Sequence, residues 1–375
     1  MYLRSRGRPK PNRRRVIWLL LVLAYVLTGI LYLQKRYPHL FAPDNVSTAA
    51  SASGTLTSQQ YVAQGDAALD AGNVSQALEA YRAAVAEDPD NAVAYARWAK
   101  LLALTGREEE ALIRAEQAVA LAPDDPEVVA VYAMVLDWNS QYEAAIEQAL
   151  RAIDLDPNYA PAYAFLAEAY ADSGRLERAL EVAQQALDLA PADVDVLRNV
   201  GYVYEVMGRY EEAVRYYQQA IEVRPLRYLY ISLGRNYRVL NRFEEAVTAF
   251  QMAAEVDPQS AEPLDELGWT YFLRQEYEQA ARYFEEAIQT DPRYPRTYAH
   301  LGTMYYVRRN YEAAIESLEE AVSLGMSSED VFYMLGLAYA FVDRCDKAIP
   351  WLDRALAVNP NSEPALAGKA YCQGQ

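Results

Sequence analysis

The chain has 375 residues, with 35 Lys and Arg against 52 Asp and Glu, for a formal net charge of −17. Hydrophobic residues make up 52% of it, too many for a disordered chain, and the acidic balance argues against general nucleic-acid binding, since phosphate would be repelled. The two histidines, His39 and His300, and the two cysteines, Cys345 and Cys372, give no metal-ligand spacing and no Cys/His nucleophile pair.

Charge is unevenly distributed. Residues 1–57 carry nine Lys or Arg and one acid, Asp44, leaving 26 basic and 51 acidic residues beyond, a net of −25. Residues 1–15 form a basic tail with seven positive side chains. Residues 16–33, VIWLLLVLAYVLTGILYL, carry no charge. As a helix, 18 residues reach about 27 Å, enough to cross a hydrocarbon core. Trp18 and Tyr32 stand near the two ends, where aromatic rings favour the membrane interface. Only Lys35 and Arg36 follow closely, so the positive-inside rule predicts a cytoplasmic N-terminus and an extracytoplasmic body. A cleaved signal peptide fits less well, because no small-x-small site follows the apolar run directly. The small polar residues that dominate the end of 34–57 predict a flexible tether.

From Ser58 onward the sequence matches itself at a period of 34. Units start at Ser58, Ala92, Pro126, Ala160, Val194, Arg227, Ala261, Pro295 and Glu329, the fifth being one residue short. Position eight is Gly or Ala throughout, from Gly65 to Gly336. Positions twenty and twenty-seven are Ala throughout. Position thirty-two is Pro in eight units, with Met326 the exception. Each unit holds two amphipathic stretches of about 13 residues at helical spacing. In the seventh, Leu264, Leu267, Gly268 and Tyr271 share one face, and Ala280, Phe284 and Ala287 share another. Pro292 ends the second stretch.

This pattern resembles the tetratricopeptide repeat family, whose unit is a helix–turn–helix of about 34 residues. The resemblance implies an all-α fold: a right-handed α-solenoid of nine repeats over residues 58–362, behind a single transmembrane helix. Nine such units make about one superhelical turn, with the first helices lining a concave surface. Residues 363–375 begin a capping helix, polar on its outer side.

No nucleotide-binding loop, nucleophile elbow or zinc-protease motif occurs in the chain. The expectation is a protein-binding scaffold, not an enzyme, with no catalytic, cofactor or metal site and no nucleic-acid partner. A structural subunit of a cell-envelope complex is the alternative. In the family, positions two, five, six, nine, twelve and thirteen of the first helices face the groove. Here they include Arg198, Asn199 and Tyr202, then Tyr228, Arg235 and Arg238, then Trp269 and Phe272, then Arg296, His300 and Tyr306. Cationic and aromatic side chains together suit a protein or peptide partner, acidic or ending in a carboxylate. Relatives that grip a terminal carboxylate use Lys, Asn and Arg. Only Asn199 matches that set, and Arg235 stands where it has Asn. The competing reading pairs these arginines with acids of neighbouring repeats, such as Glu205, Asp265 and Glu266. Met134 and Trp138 form a weaker candidate, which repeat packing would equally explain.

Stacking also bears on the cysteines. A second helix runs antiparallel to the next first helix, so the start of one nears the end of the other. Cys345 and Cys372 sit at those ends, which predicts a disulfide holding down the terminal helix. Two free thiols packed as small apolar groups are the alternative.

Overall fold

The computed structural model describes residues 56–374. The basic tail at 1–15, the apolar segment at 16–33 and the tether at 34–57, apart from its last two residues, lie outside the described residues. Among the described residues no helix is long and apolar enough to cross a membrane.

Nineteen α-helices follow one another, and no strand occurs among the described residues. They form nine antiparallel pairs and a final single helix, Glu363–Gln373. The first helix of a pair begins at position one of the 34-residue unit, as in Ser58–Asp70 and Val194–Val206. In repeat seven it begins one residue later, at Glu262. Side-chain caps fix several of these starts. Asn91, Asp125, Asp193 and Ser328 each accept a backbone N–H from the first turn. Between the two helices of every pair, position fifteen takes a left-handed conformation. Gly72, Gly106, Gly174 and Gly208 meet that demand, whereas Ser140, Asn241, Gln275, Arg309 and Asp343 adopt it with a side chain present.

One size rule governs packing within the pairs. Position twenty-four of the second helix lies over position eight of the first. Where position eight is Gly, position twenty-four is large. A Cβ on Gly234 would stand 2.5 Å from Phe250, and one on Gly268 would stand 2.6 Å from Phe284. Gly65 and Gly201 face Tyr81 and Tyr217, and Gly302 and Gly336 face Leu318 and Leu352. In repeats two to four position eight is Ala99, Ala133 or Ala167, and position twenty-four is Ala115, Ala149 or Ala183. All six are buried. The volume at the contact is therefore shared in two ways, consistent with close-packed interiors.

The alanine-rich repeats also wind tightly. Their first helices, Ala92–Leu104, Pro126–Trp138 and Ala160–Asp172, pack on one another and on Val194–Val206. The loop after repeat five, the one-residue-short unit, then brings the chain back against repeat one. Arg224 pairs with Asp70 at 2.6 Å. A Cβ on Gly72 would stand 3.2 Å from the Pro225 carbonyl oxygen. Lys100 pairs with Asp195, 95 residues away. This curvature is tighter than one turn per nine repeats. The physical reason is the small side chains between the first helices of repeats two to five, together with the shortened loop.

Candidate functional site

The concave face is built from first helices, and one register rule links their side chains. With a 34-residue repeat, the residue 30 positions away lies on the neighbouring first helix, one helical turn along. Arg198 reaches Glu168, Tyr202 Oη–H donates to Asp172 at 2.5 Å, and Trp138 Nε1–H donates to Glu168 at 2.9 Å, each across 30 residues. Arg97 Nε bonds Glu127 at 2.7 Å by the same offset.

The densest such cluster surrounds Glu266, whose side chain has no exposed surface. Arg238 Nη1 lies 2.6 Å from it, Arg235 Nη2 2.6 Å and Arg296 Nη2 2.5 Å. Burial alone would raise this carboxyl, but the guanidiniums of Arg235, Arg296 and Arg238 outweigh it and hold the group at about 2. Its neighbour Asp265, also wholly buried, meets His300 Nδ1 at 2.9 Å. Glu262 bonds Arg235 Nη2 at 3.0 Å and also takes Arg227. Trp269 stacks on His300 with ring centroids 4.3 Å apart, and Phe272 lies 4.9 Å from Trp269.

The expected groove residues thus divide. Arg198, Arg235, Arg238, Arg296 and His300 face acids of adjacent repeats. Of the three acids suggested by sequence, Asp265 and Glu266 are such partners. Glu205 instead accepts from Tyr217 and Asn236, and Arg198 goes to Glu168. Arg235 and Arg296 keep about a third of their side-chain surface exposed, at 35% and 31%. Asn199 departs from the expectation: it is wholly buried, with neither side-chain polar atom bonded. The reason is the close approach of the first helices of repeats four and five, which turns position six inward. Met134 is buried in the core. Tyr306 leans on Tyr311 and Phe341.

Two cavities open on this face. The first, of about 400 Å³, lies inside the tightly wound half. Leu69, Leu101, Val131 and Phe165 give it apolar walls, and the Arg97, Lys100 and Arg224 ion pairs stand at its edge. The second, of about 310 Å³, lies between the first helices of repeats three to six and includes Asp137, Glu168, Asp172 and Glu205. Sequence reasoning passed over Asp137 and Asp172, treating acids as solvated. A self-comparison at an offset of 30 would have marked the acid–Tyr and acid–Arg pairs. Among the described residues no three His, Cys, Asp or Glu are arranged to hold a metal ion.

Cys345 is the first residue of its helix, Cys345–Val358, rather than part of the preceding turn. It is bonded to Cys372, with the Cα atoms 5.4 Å apart. The bond ties the terminal helix to the last pair.

Comparison with known proteins gives a consistent family. Tetratricopeptide repeat models match residues 68–135, 136–194, 193–259, 231–295, 266–329 and 329–362. No curated protein matches the chain in sequence. Among solved structures, the APC/C hetero-tetramer Cut9–Hcn1 aligns at TM-score 0.55 and 16% identity, covering 94% of this chain and 81% of that one. The human IFIT1 dimer with m7Gppp-AAAA aligns at TM-score 0.54 and 17% identity, covering 91% and 79%. Identities this low establish the fold alone.

Proposed function

We propose that this chain, which belongs to the tetratricopeptide repeat family, is a membrane-tethered scaffold holding a partner protein on its concave face. Tetratricopeptide arrays generally bind protein partners. One observation carries the reading for this chain: half-exposed Tyr202, Arg235, Trp269 and Arg296 follow one another along the first helices of repeats five to eight. Tyr202 and Trp269 pack partly against the core, and all four keep part of their surface exposed to a partner. The partner's contact is with the outer edges of a charge-balanced network, since each guanidinium already has an internal carboxylate. Aromatic and Arg side chains in such a setting are the usual anchors of protein interfaces.

The tether reading rests on the uncharged run at 16–33 and on the seven basic residues before it against two after it. A disulfide at Cys345–Cys372 fits an oxidising compartment, as an extracytoplasmic body requires. A structural subunit of a cell-envelope complex is the alternative reading compatible with that topology. Alkaline phosphatase fused after Gln375 will be active in a bacterial host if the body lies outside. An inactive fusion beside an active cytoplasmic reporter reverses the topology. For the scaffold itself, the full chain carrying a C-terminal tag will co-purify one partner from its native membranes. Changing Tyr202 and Trp269 together to Ala will lose it, and full recovery of the partner by that variant contradicts the reading.

A further inference from the structure

We propose that the cavity between repeats three and six receives a basic side chain, the guanidinium or ammonium of a partner's arginine or lysine, between Asp137 and Asp172. The proposal rests on the scaffold reading and adds the chemistry of what the face recognises.

More carboxyl groups line the cavity than the cations beside it neutralise. Four carboxylates border the cavity: Asp137, Glu168, Asp172 and Glu205. Two cations border it: one neutralises Glu168 within the cavity, and the other is committed to carboxylates outside it. Arg198 is held by Glu168, and Arg235 by Glu262 and Glu266. Glu205 accepts from Tyr217 Oη–H at 2.8 Å and from the Asn236 amide at 2.7 Å. Asp172 accepts from Tyr202, a neutral donor. Asp137 is 2% exposed, and no N–H or O–H donor of the described residues bonds either of its oxygens. Buried polar groups ordinarily have partners; the Asp137 carboxyl can pair with Asp172 only by sharing a proton, and a cation's N–H groups could take that proton's place.

Burial, then the charges of Glu168 and Asp172, push the Asp137 carboxyl up to about 9, against a smaller opposing effect of Arg198. At neutral pH it is a carboxylic acid able to share its proton with Asp172. Burial and nearby carboxylates push the hydroxyls of Tyr202 and Tyr217, which face the same space, upward, so both stay uncharged there. An arriving cation would replace that proton: Asp137 O–H ionises, the proton leaves to solvent, and the ligand's N–H groups bond the two carboxylates. The site already shows this chemistry, since Arg198 is gripped by Glu168 with its guanidinium 5.4 Å from the Trp138 ring. The donor set suits an organic cation rather than a metal ion, because no three acidic groups converge.

The test uses the full chain and two probes, N-acetyl-arginine amide and its citrulline counterpart, which has the same shape without charge. Saturation-transfer NMR at pH 7 and 150 mM salt reads binding. The arginine probe is expected to give at least a fivefold larger signal than citrulline. Asp137→Asn with Asp172→Asn is expected to remove that difference. Glu211→Gln with Glu222→Gln, which removes the same number of carboxyl groups at exposed sites, is expected to keep it. Binding of the arginine probe should tighten from pH 6 to pH 9 in the wild type, as the competing proton becomes easier to displace, and stay flat in the Asn variant. Equal signals from the two probes on the wild type, or an unchanged difference in the Asn variant, overturn the proposal. Either failure leaves the scaffold reading standing if the partner still co-purifies and is still lost with Tyr202 and Trp269.

Discussion

Arg238 and Glu266 meet at 2.6 Å across the boundary between repeats six and seven, and the carboxylate at that contact is wholly buried. Arg235 and Arg296 reach the same group from repeats six and eight. One carboxylate thus joins three successive repeats. Removing it leaves three guanidiniums crowded around a neutral site. Glu266→Gln is expected to destabilise the array by about 3 kcal/mol, because a buried charge deprived of its partner is costly. Arg238→Met is expected to be milder, since Arg235 and Arg296 still neutralise Glu266. Urea unfolding followed by circular dichroism gives both values.

The pH dependence has two opposing parts. Glu266 is held at about 2, below its ordinary value of 4.5, so its contribution is present above about 4.5 and is lost as pH falls towards 2. The stability gap between wild type and Glu266→Gln should therefore shrink over that window. Asp137 behaves in the opposite sense. Its folded value, about 9, lies above its ordinary 3.8, so the folded state binds the proton more tightly and stability declines as pH rises between those values. Asp137→Asn should flatten that decline and gain on the wild type at pH 8 relative to pH 5. Unfolding midpoints measured across pH check both signs.

The Gly–aromatic pairing predicts a compensated double change. Gly234→Ala puts a Cβ into the Phe250 ring and is expected to cost about 1–3 kcal/mol by overpacking. Phe250→Ala alone is expected to cost about 3–5 kcal/mol. Together they recreate the Ala–Ala pair of repeats two to four. The double variant should therefore lose at least 1 kcal/mol less than the sum of the singles.

The pairing into helices was legible because a 34-residue period repeats nine times, with small residues at fixed places. The side-chain network was less so. Glu266 and Asp265 were named as possible partners of the groove arginines, yet Glu168 was missed as the partner of Arg198. A bond between repeats depends on the offset between adjacent first helices, which the period alone does not give. The buried state of Asn199 and the contact between Arg224 and Asp70 were hidden for a related reason. Both depend on how tightly repeats two to five curve, and curvature accumulates from many small side-chain volumes. Asp137 was hidden because a carboxyl in a sequence reads as charged and solvated until its neighbours are known.

The Cys345–Cys372 bond closes a loop with a sequence separation of 27. Its loss is expected to cost about 3 kcal/mol by the loop-entropy relation, felt first in Glu363–Gln373. Hydrogen exchange with and without a reductant should show faster exchange in that helix and little change in repeats two to five. Uniform acceleration throughout would mean the terminal helix is not a separately tethered element.

The central claim is that the concave face holds a partner protein, and site-specific photo-crosslinking in the native host tests it most directly. A photoreactive phenylalanine analogue replaces Tyr202 or Trp269 on the concave first helices, or exposed Ile113 or Leu150 on the second helices. The account predicts one discrete adduct from Tyr202 and from Trp269, and none from Ile113 or Leu150. Adducts arising only from Ile113 and Leu150, or none from any of the four, would contradict it.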